Sequence, residues 1–273
     1  MAARGLRPKK RLGQHFLTDA GAARKIASLC LSEAGTRVIE IGAGTGTLTR
    51  ALLDGGARLR ALEIDPELIE ILRERTDLAN AEIVETDALG YDYDAATSGT
   101  PWTAAGNLPY NIATPLVLRW LEGTNPPQRT VVMIQRDVAE RFTAAPATAA
   151  YGSLSVAVQF ATRPKRAFTL GPDAFYPRPK VESSVVIMER RERPPVECRD
   201  RAFFFRVVRA AFAYRRKTAA NSIALALGIA RERVQDALSD LSLAADIRGE
   251  RLDLAAFAAL ANRLDDIAGT LRT

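Results

Sequence analysis

The segment Arg37-Val38-Ile39-Glu40-Ile41, running straight into Gly42-Ala43-Gly44-Thr45-Gly46, constrains this chain more than any other. A short, largely apolar and β-branched run of this kind reads as a buried strand. The glycines after it let the backbone turn sharply and approach a ligand closely. Thr47 to Leu53 then reads as a helix, stopped by Gly55-Gly56. Strand, glycine turn and helix make the opening unit of a doubly wound α/β fold. Such a turn serves NAD, FAD and S-adenosylmethionine alike. The spacing here is Gly42-x-Gly44-x-Gly46, without the two-residue last gap of the dinucleotide fingerprint.

The alternation continues. Gly21 to Leu31 has helical apolar spacing ahead of the first strand. Arg58 to Ile64 is a second strand, and Pro66 opens the next helix at a position that suits a first-turn proline. Ala81 to Glu85 and Trp102 to Ala105 read as strands, and Thr114 to Leu121 as a helix. Thr130 to Gln135 is a further strand, with a helix over Arg136 to Phe142. Strands alternating with helices through short loops predict a parallel sheet covered on both faces. Near Tyr151 the rhythm changes. Ser153 to Ala161 and Val181 to Glu189 are β-branched runs joined through the proline-rich loop Pro172 to Pro179, and they read as a terminal strand pair. From Asp200 onward only helical patterns remain. Phe203, Val207, Ala210 and Ala211 share one helix face, Val234, Leu238 and Leu241 a second, and Leu254, Phe257, Leu260 and Leu264 a third. The expected organisation is therefore a basic arm and N-terminal motif over 1–20, an α/β domain over 21–190, a charged linker, and a helical domain over 196–273.

Composition narrows the chemistry. The chain of 273 residues carries a formal net charge of +6, which favours an anionic partner such as nucleic acid. Its single histidine, His15, excludes multi-histidine metal centres, and any histidine-dependent triad would have to use it. Cys30 and Cys198 stand far apart in the chain and in no metal-like spacing, so neither a disulfide framework nor a metal is expected. No apolar run approaches the ~18 residues that span a bilayer, and the basic N-terminus lacks a signal-peptide core. A soluble protein of a reducing compartment, with no membrane partner, is the plain expectation.

Three strand ends carry polar groups suited to an adenosine. Glu63 follows the glycine turn by ~20 residues, the distance at which an acid holds ribose hydroxyls. Asp87, after the third strand, can accept a hydrogen from an exocyclic amine. Asn107-Leu108-Pro109-Tyr110 supplies a carboxamide, a main-chain carbonyl, a proline that fixes the turn, and an aromatic face. That set suits a flat base whose amino group donates to the amide and carbonyl while the tyrosine stacks on the ring.

Leu12-Gly13-Gln14-His15-Phe16-Leu17, Glu40 to Gly44, Gly106 to Ile112, Tyr151 to Val156 and Phe175-x-Pro177-x-Pro179-Lys180-Val181 occur in one order. Together they resemble the rRNA adenine N6,N6-dimethyltransferase family, and its bacterial small-subunit branch in particular. The likeness runs from Leu12 into the C-terminal helices, including Ala211 to Thr218. It implies a class I S-adenosylmethionine-dependent methyltransferase domain, Rossmann-like with a mostly parallel seven-stranded sheet, and a small all-α C-terminal domain. It implies S-adenosyl-L-methionine as cofactor, held by His15, Leu17, Gly42, Glu63, Asp87 and Asn107. The implied substrate is a pair of adjacent adenosines in the 3′-terminal hairpin loop of 16S rRNA, within the pre-30S subunit, late in its biogenesis. A cytoplasmic monomer is the expectation. The family often has Asn-Gln before its Arg-Arg-Lys run, where this chain has Ala213-Tyr214.

The residues suggest a mechanism without a strong base. The Asn107 side chain and the Leu108 carbonyl accept the two N6 hydrogens and localise the nitrogen lone pair toward the electrophile, leaving an in-line displacement set by positioning. Tyr110 stacks on one face of the extruded base and Phe175 covers the other. Arg7, Lys9, Lys10 and Arg11 in the arm, with Arg206, Arg209, Arg215, Arg216 and Lys217, are the candidate RNA contacts. Three alternatives stay open: a large-subunit rRNA methyltransferase of the macrolide-resistance type, a non-catalytic assembly or transcription factor on the same fold, and a nicotinamide oxidoreductase.

Overall fold

A computed structural model describes residues 8–9 and 12–269, with side chains as far as 265. It divides into two compact units, one of 1–139 and 163–190, the other of 140–162 and 191–273.

The first unit begins with the short strand β1 (Phe16–Leu17) and helix α1 (Ala20–Cys30), whose first turn is capped by Asp19 accepting from the Ala22 amide at 2.9 Å. Then follow β2 (Arg37–Ile41), α2 (Thr47–Asp54), β3 (Arg58–Glu63), α3 (Pro66–Glu74), β4 (Glu82–Glu85), α4 (Tyr93–Thr97), β5 (Thr103–Asn107), α5 (Ala113–Glu122), β6 (Arg129–Gln135) and α6 (Arg136–Thr143). After α7 (Ser153–Ala161) come β7 (Thr162–Leu170), β8 (Phe175–Tyr176) and β9 (Ser183–Arg190). Seven of these strands form one sheet in the order β4-β3-β2-β5-β6-β9-β7, and β1 pairs separately with β8. The pairs from β4 through β6 are parallel and β6–β9 is antiparallel. The expected mostly parallel, seven-stranded sheet is thus present.

The chain builds outward from β2 through β3 to β4, then returns to place β5 on the other side of β2. At such a reversal the helices leave on opposite faces, and a crevice opens beyond the strand ends. Gly106 lets β5 lie against β2 there: a Cβ on it would meet the Ile41 carbonyl oxygen at 2.5 Å. One face of the sheet packs against α1 and α2 around Ile26, Val38, Leu52, Val131, Met133 and Val185.

Ser153–Ala161 is a helix, against the expectation of a strand, and the terminal strand pair is β7 with β9. Val156, Val158 and Phe160 alternate with a period of two, which mimics a strand. Contacts distant in sequence decide otherwise. Ser155 accepts from the Gly152 amide and donates to the Arg141 carbonyl at 2.6 Å, which starts the helix. Phe160 then packs its ring against that of Phe204, with centroids 5.1 Å apart and the planes tilted by 33°. This burial overrides the β propensity of the valines. Residues 140–162 accordingly belong with the helical unit and not with the α/β domain, where the expected boundary of 190 had put them.

The second unit adds α8 (Arg201–Ala213), α9 (Ala219–Leu227), α10 (Arg231–Asp240) and α11 (Leu254–Gly269). Its core includes Phe204, Val207, Ile223, Val234, Leu238 and Phe257, all fully buried. Cutting either phenylalanine to alanine costs ~3–5 kcal/mol in a core of this kind. On α8 the innermost aromatic is Phe204, while Phe203, expected on the core face, is only partly buried.

Candidate active site

The ends of β2, β3, β4 and β5 and the segment 12–17 enclose a cavity of about 340 Å³. That volume lies within the ~300–1,000 Å³ of small-molecule sites.

The glycine turn forms its floor. Gly42 and Gly44 adopt left-handed φ of 69° and 59°, conformations that L side chains rarely take. A Cβ on Gly42 would have one neighbour, the Asn107 carbonyl oxygen at 3.9 Å, and would otherwise fill the cavity. Glu63 ties this turn to the end of β3. Its Oε2 accepts from the Gly44 amide at 2.8 Å, and its Oε1 from the Ile64 and Asp65 amides at 2.9 and 3.0 Å. Burial raises the Glu63 pKa, and the three amides oppose that rise. Ile64, beside it, lines the cavity and is 46% exposed.

Glu40 lies at the cavity wall and was not singled out from the sequence as a site residue. It is 1% exposed, and its Oε2 has no hydrogen-bond partner. Burial pushes its carboxyl up to about 8. An acid in the middle of an apolar strand was the available signal. An orphaned carboxyl oxygen on the wall fits a ligand that brings a hydrogen-bond donor or a cationic group. With the space above Gly42, this fits S-adenosylmethionine, which carries an ammonium and a sulfonium.

Asp87 lines the cavity near the end of β4. Its Oδ1 accepts from the Leu89 amide at 2.9 Å, so it caps its own turn, and Oδ2 accepts no hydrogen bond among the described residues.

At the end of β5, Asn107 donates from Nδ2 to the His15 carbonyl at 2.7 Å. A carbonyl can only accept, so this bond fixes which end of the carboxamide is nitrogen. The oxygen Oδ1 is left as the free acceptor of a side chain that lines the cavity. The Leu108 amide donates to the Met133 carbonyl at 3.0 Å, while the Leu108 carbonyl accepts no backbone hydrogen bond among the described residues. Tyr110 is half-buried, stacks on His15 with ring centroids 5.7 Å apart, and has its hydroxyl 3.5 Å from Ser183 Oγ. Burial raises the Tyr110 pKa.

The N-terminal motif covers one side of the cavity. His15 donates from Nδ1 to the Pro177 carbonyl at 2.8 Å. Phe16 and Leu17 line the cavity, and Leu17 is also part of the core. Gln14 donates to Asp65 Oδ2 at 2.8 Å and accepts from the Lys9 amide at 2.7 Å. Lys9 Nζ reaches Asp65 Oδ1 at 2.6 Å and Glu67 Oε1 at 3.0 Å. Burial pushes the Asp65 carboxyl up, but Lys9 and Gln14 outweigh it and hold the group below its ordinary range.

Three sequence expectations change. Phe175, expected to cover a base, is 3% exposed, packs in the core with Leu17 and Ile26, and does not line the cavity. Lys9, expected to meet RNA phosphate, is engaged by two carboxylates. Arg215, Arg216 and Lys217 sit in the exposed turn between α8 and α9 and not on a helix. They form no ion pair among the described residues, and Arg206 and Arg209 are exposed on α8. Arg7, Lys10 and Arg11 lie outside the described residues. Among those residues there is no cluster of potential metal ligands and no helix long and apolar enough to cross a membrane.

The sequence matches the model of the ribosomal RNA adenine dimethylase family over residues 5–266. The chain belongs to that family. Among the relatives of this dimethylase is the ribosomal RNA small subunit methyltransferase A of Streptococcus gordonii, 40% identical over 94% of this chain and 91% of that one. The protein of the same name from Pseudomonas aeruginosa is 40% identical over 96% and 97%. The fold agrees with a dimethyladenosine transferase from Plasmodium falciparum, with a TM-score of 0.76 at 21% identity over 93% and 98% of the two chains. The 23S rRNA methyltransferase ErmE superposes with a TM-score of 0.72 at 26% identity over 92% and 99%. The dimethylase cavity therefore joins the glycine turn, Glu40, Glu63, Asp87 and the Asn107–Tyr110 turn in one enclosure.

Proposed function

We propose that this dimethylase transfers methyl groups from S-adenosylmethionine to N6 of two adjacent adenosines in the 3′-terminal hairpin loop of 16S rRNA. It acts on the pre-30S subunit late in assembly, in the cytoplasm, as a monomer. The observation that carries the reading is the orientation of Asn107, whose Nδ2 is spent on the His15 carbonyl so that Oδ1 is the acceptor on offer.

Bound S-adenosylmethionine supplies the electrophilic methyl group. The turn amides take three of the four acceptor positions of Glu63 and leave the fourth for a ribose hydroxyl, and the free Oδ2 of Asp87 accepts from the adenine amine. Gly42, His15 and Leu17 shape the walls, with Glu40 beside the glycine turn in the same lining. Asn107 Oδ1 and the Leu108 carbonyl accept the two N6 hydrogens of the target base. An N6 nitrogen held this way keeps its lone pair out of the ring and directed at the methyl carbon. Tyr110 offers the ring face not used by His15 to the extruded base. Such stacking contributes ~1–3 kcal/mol per base, comparable to the few kcal/mol that extrusion costs. No proton need leave before the methyl transfers, which suits a site whose only histidine is committed to Pro177.

The small subunit is favoured over the large one by the relatives named for it, at 40% identity against 26% for ErmE. The intact cavity set argues against a non-catalytic factor. The test is to incubate separated, methylation-deficient subunits with the protein and isotopically labelled cofactor, then analyse nucleosides by mass spectrometry. Labelled N6,N6-dimethyladenosine from small subunits is expected. Label confined to large subunits, or on a ring nitrogen, overturns the reading.

A further inference from the structure

Phe175 and Tyr176 form a strand of two residues whose side chains point to opposite faces. Phe175 lies opposite Leu17, and both enter the core. Tyr176 lies opposite Phe16 on the other face. Phe16 lines the cavity, and its Cδ1 would lie 3.1 Å from a Cβ on Gly44. Directly opposed side chains on one face have Cβ atoms ~4.5–5.5 Å apart. Tyr176 therefore stands at the cavity mouth, beside the lining but not part of it, and is 53% exposed.

The loop that follows is anchored to the site at both ends. The Pro177 carbonyl accepts from His15 at 2.8 Å, and Ser183 Oγ lies 3.5 Å from the Tyr110 hydroxyl. Between these anchors it carries Arg178 and Lys180, both exposed. Lys180 has no ion pair among the described residues. The contact of Arg178 with Asp173, at 3.1 Å, is between two largely exposed groups, the kind worth little in water. An exposed aromatic plate beside two available cations is the pairing that single-stranded nucleic acid binders use, one part for a base and the other for phosphate.

We infer that Tyr176 is a stacking platform for the RNA base next to the one in the cavity, with Arg178 and Lys180 holding the intervening phosphates. The inference rests on the rRNA methyltransferase reading and deepens it. A base in the cavity must leave the helical stack, so its neighbour loses a stacking partner as well. Tyr176 replaces that partner. For a substrate of two adjacent adenosines, the platform holds the second while the first reacts.

The test compares wild type, Tyr176→Ala, Tyr176→Phe and Tyr176→Trp on methylation-deficient small subunits, with S-adenosylhomocysteine binding measured alongside. Tyr176→Ala is expected to raise KM for subunits about tenfold, equivalent to ~1.4 kcal/mol. Its kcat should stay within about twofold, and its S-adenosylhomocysteine affinity should be unchanged. Tyr176→Phe and Tyr176→Trp should keep wild-type KM because they keep a ring. An unchanged KM in Tyr176→Ala overturns the inference. So does a Phe variant as weak as Ala, or loss of S-adenosylhomocysteine binding in the Ala variant, which would make Tyr176 a structural residue. Wild type that leaves subunits unmethylated would overturn the proposed function itself and this platform with it.

Discussion

Replacing Asn107 removes two separable things. Its Nδ2 donates to the His15 carbonyl at 2.7 Å, and its Oδ1 is the acceptor assigned to the target amine. Losing the donor leaves a carbonyl unpaired in a partly buried segment, at ~1–3 kcal/mol. Because that segment walls the cofactor cavity, S-adenosylhomocysteine binding should weaken roughly 5- to 150-fold. Losing the acceptor removes a hydrogen bond to a nitrogen gaining positive charge, ~1.5–3 kcal/mol, or roughly 10- to 150-fold in kcat. Asn107→Ala loses both. Asn107→Asp loses the donor, and sets an oxygen against the His15 carbonyl, but keeps an acceptor. Calorimetry should therefore find both variants weak for S-adenosylhomocysteine. Single-turnover methylation at saturating cofactor should be slow in Asn107→Ala and much less affected in Asn107→Asp. Equal loss of rate in the two variants refutes the acceptor argument. Wild-type cofactor affinity in Asn107→Ala refutes the bracing of the N-terminal segment.

Other perturbations test the remaining parts. Burial raises the Glu40 pKa from 4.5 to about 8, so the folded chain holds this proton more tightly than the unfolded one. The stability due to it is complete below pH ~4.5 and is lost as pH rises toward ~8. Thermal melts of Glu40→Gln across that window should be flatter than wild type, and an unchanged slope would refute the assignment. Lys9→Met removes the cation shared by Asp65 and Glu67, so Asp65 should titrate nearer its ordinary value by NMR and cofactor affinity should fall a few-fold. An Asp65 titration that does not move would exclude Lys9 as its partner. Gly106→Ala places a Cβ against the Ile41 carbonyl, and overpacking of ~1–3 kcal/mol should appear as a lower Tm. A wild-type Tm would mean that β5 can shift away from β2. Arg215→Glu with Arg216→Glu should weaken binding to small subunits and reduce its salt dependence while sparing S-adenosylhomocysteine. Equal subunit affinity would remove that turn from the RNA contacts.

Much of the α/β unit was legible before any coordinates. The β2 run, the glycine turn and the proline that opens α3 are local signals, and the structure places those elements within a residue or two. The site was legible where its residues end strands, since the ends of successive parallel strands meet at one edge. Glu40 was overlooked because a strand interior is ordinarily structural. Residues 153–161 misled because a period of two is shared by a strand and by this helix.

The sequence alone therefore determined most strands and helices from α1 to α6, the glycine turn and the acids and amide at the strand ends, because these depend on neighbours a few residues away. Tertiary structure decided the rest. Of two adjacent aromatics, it buried Phe175 and exposed Tyr176, because pairing with β1 chooses which face of a two-residue strand meets the core. It turned Lys9 from a free cation into a partner of Asp65, a residue 56 positions away. Neither outcome follows from composition or period, since both depend on where distant segments come to rest.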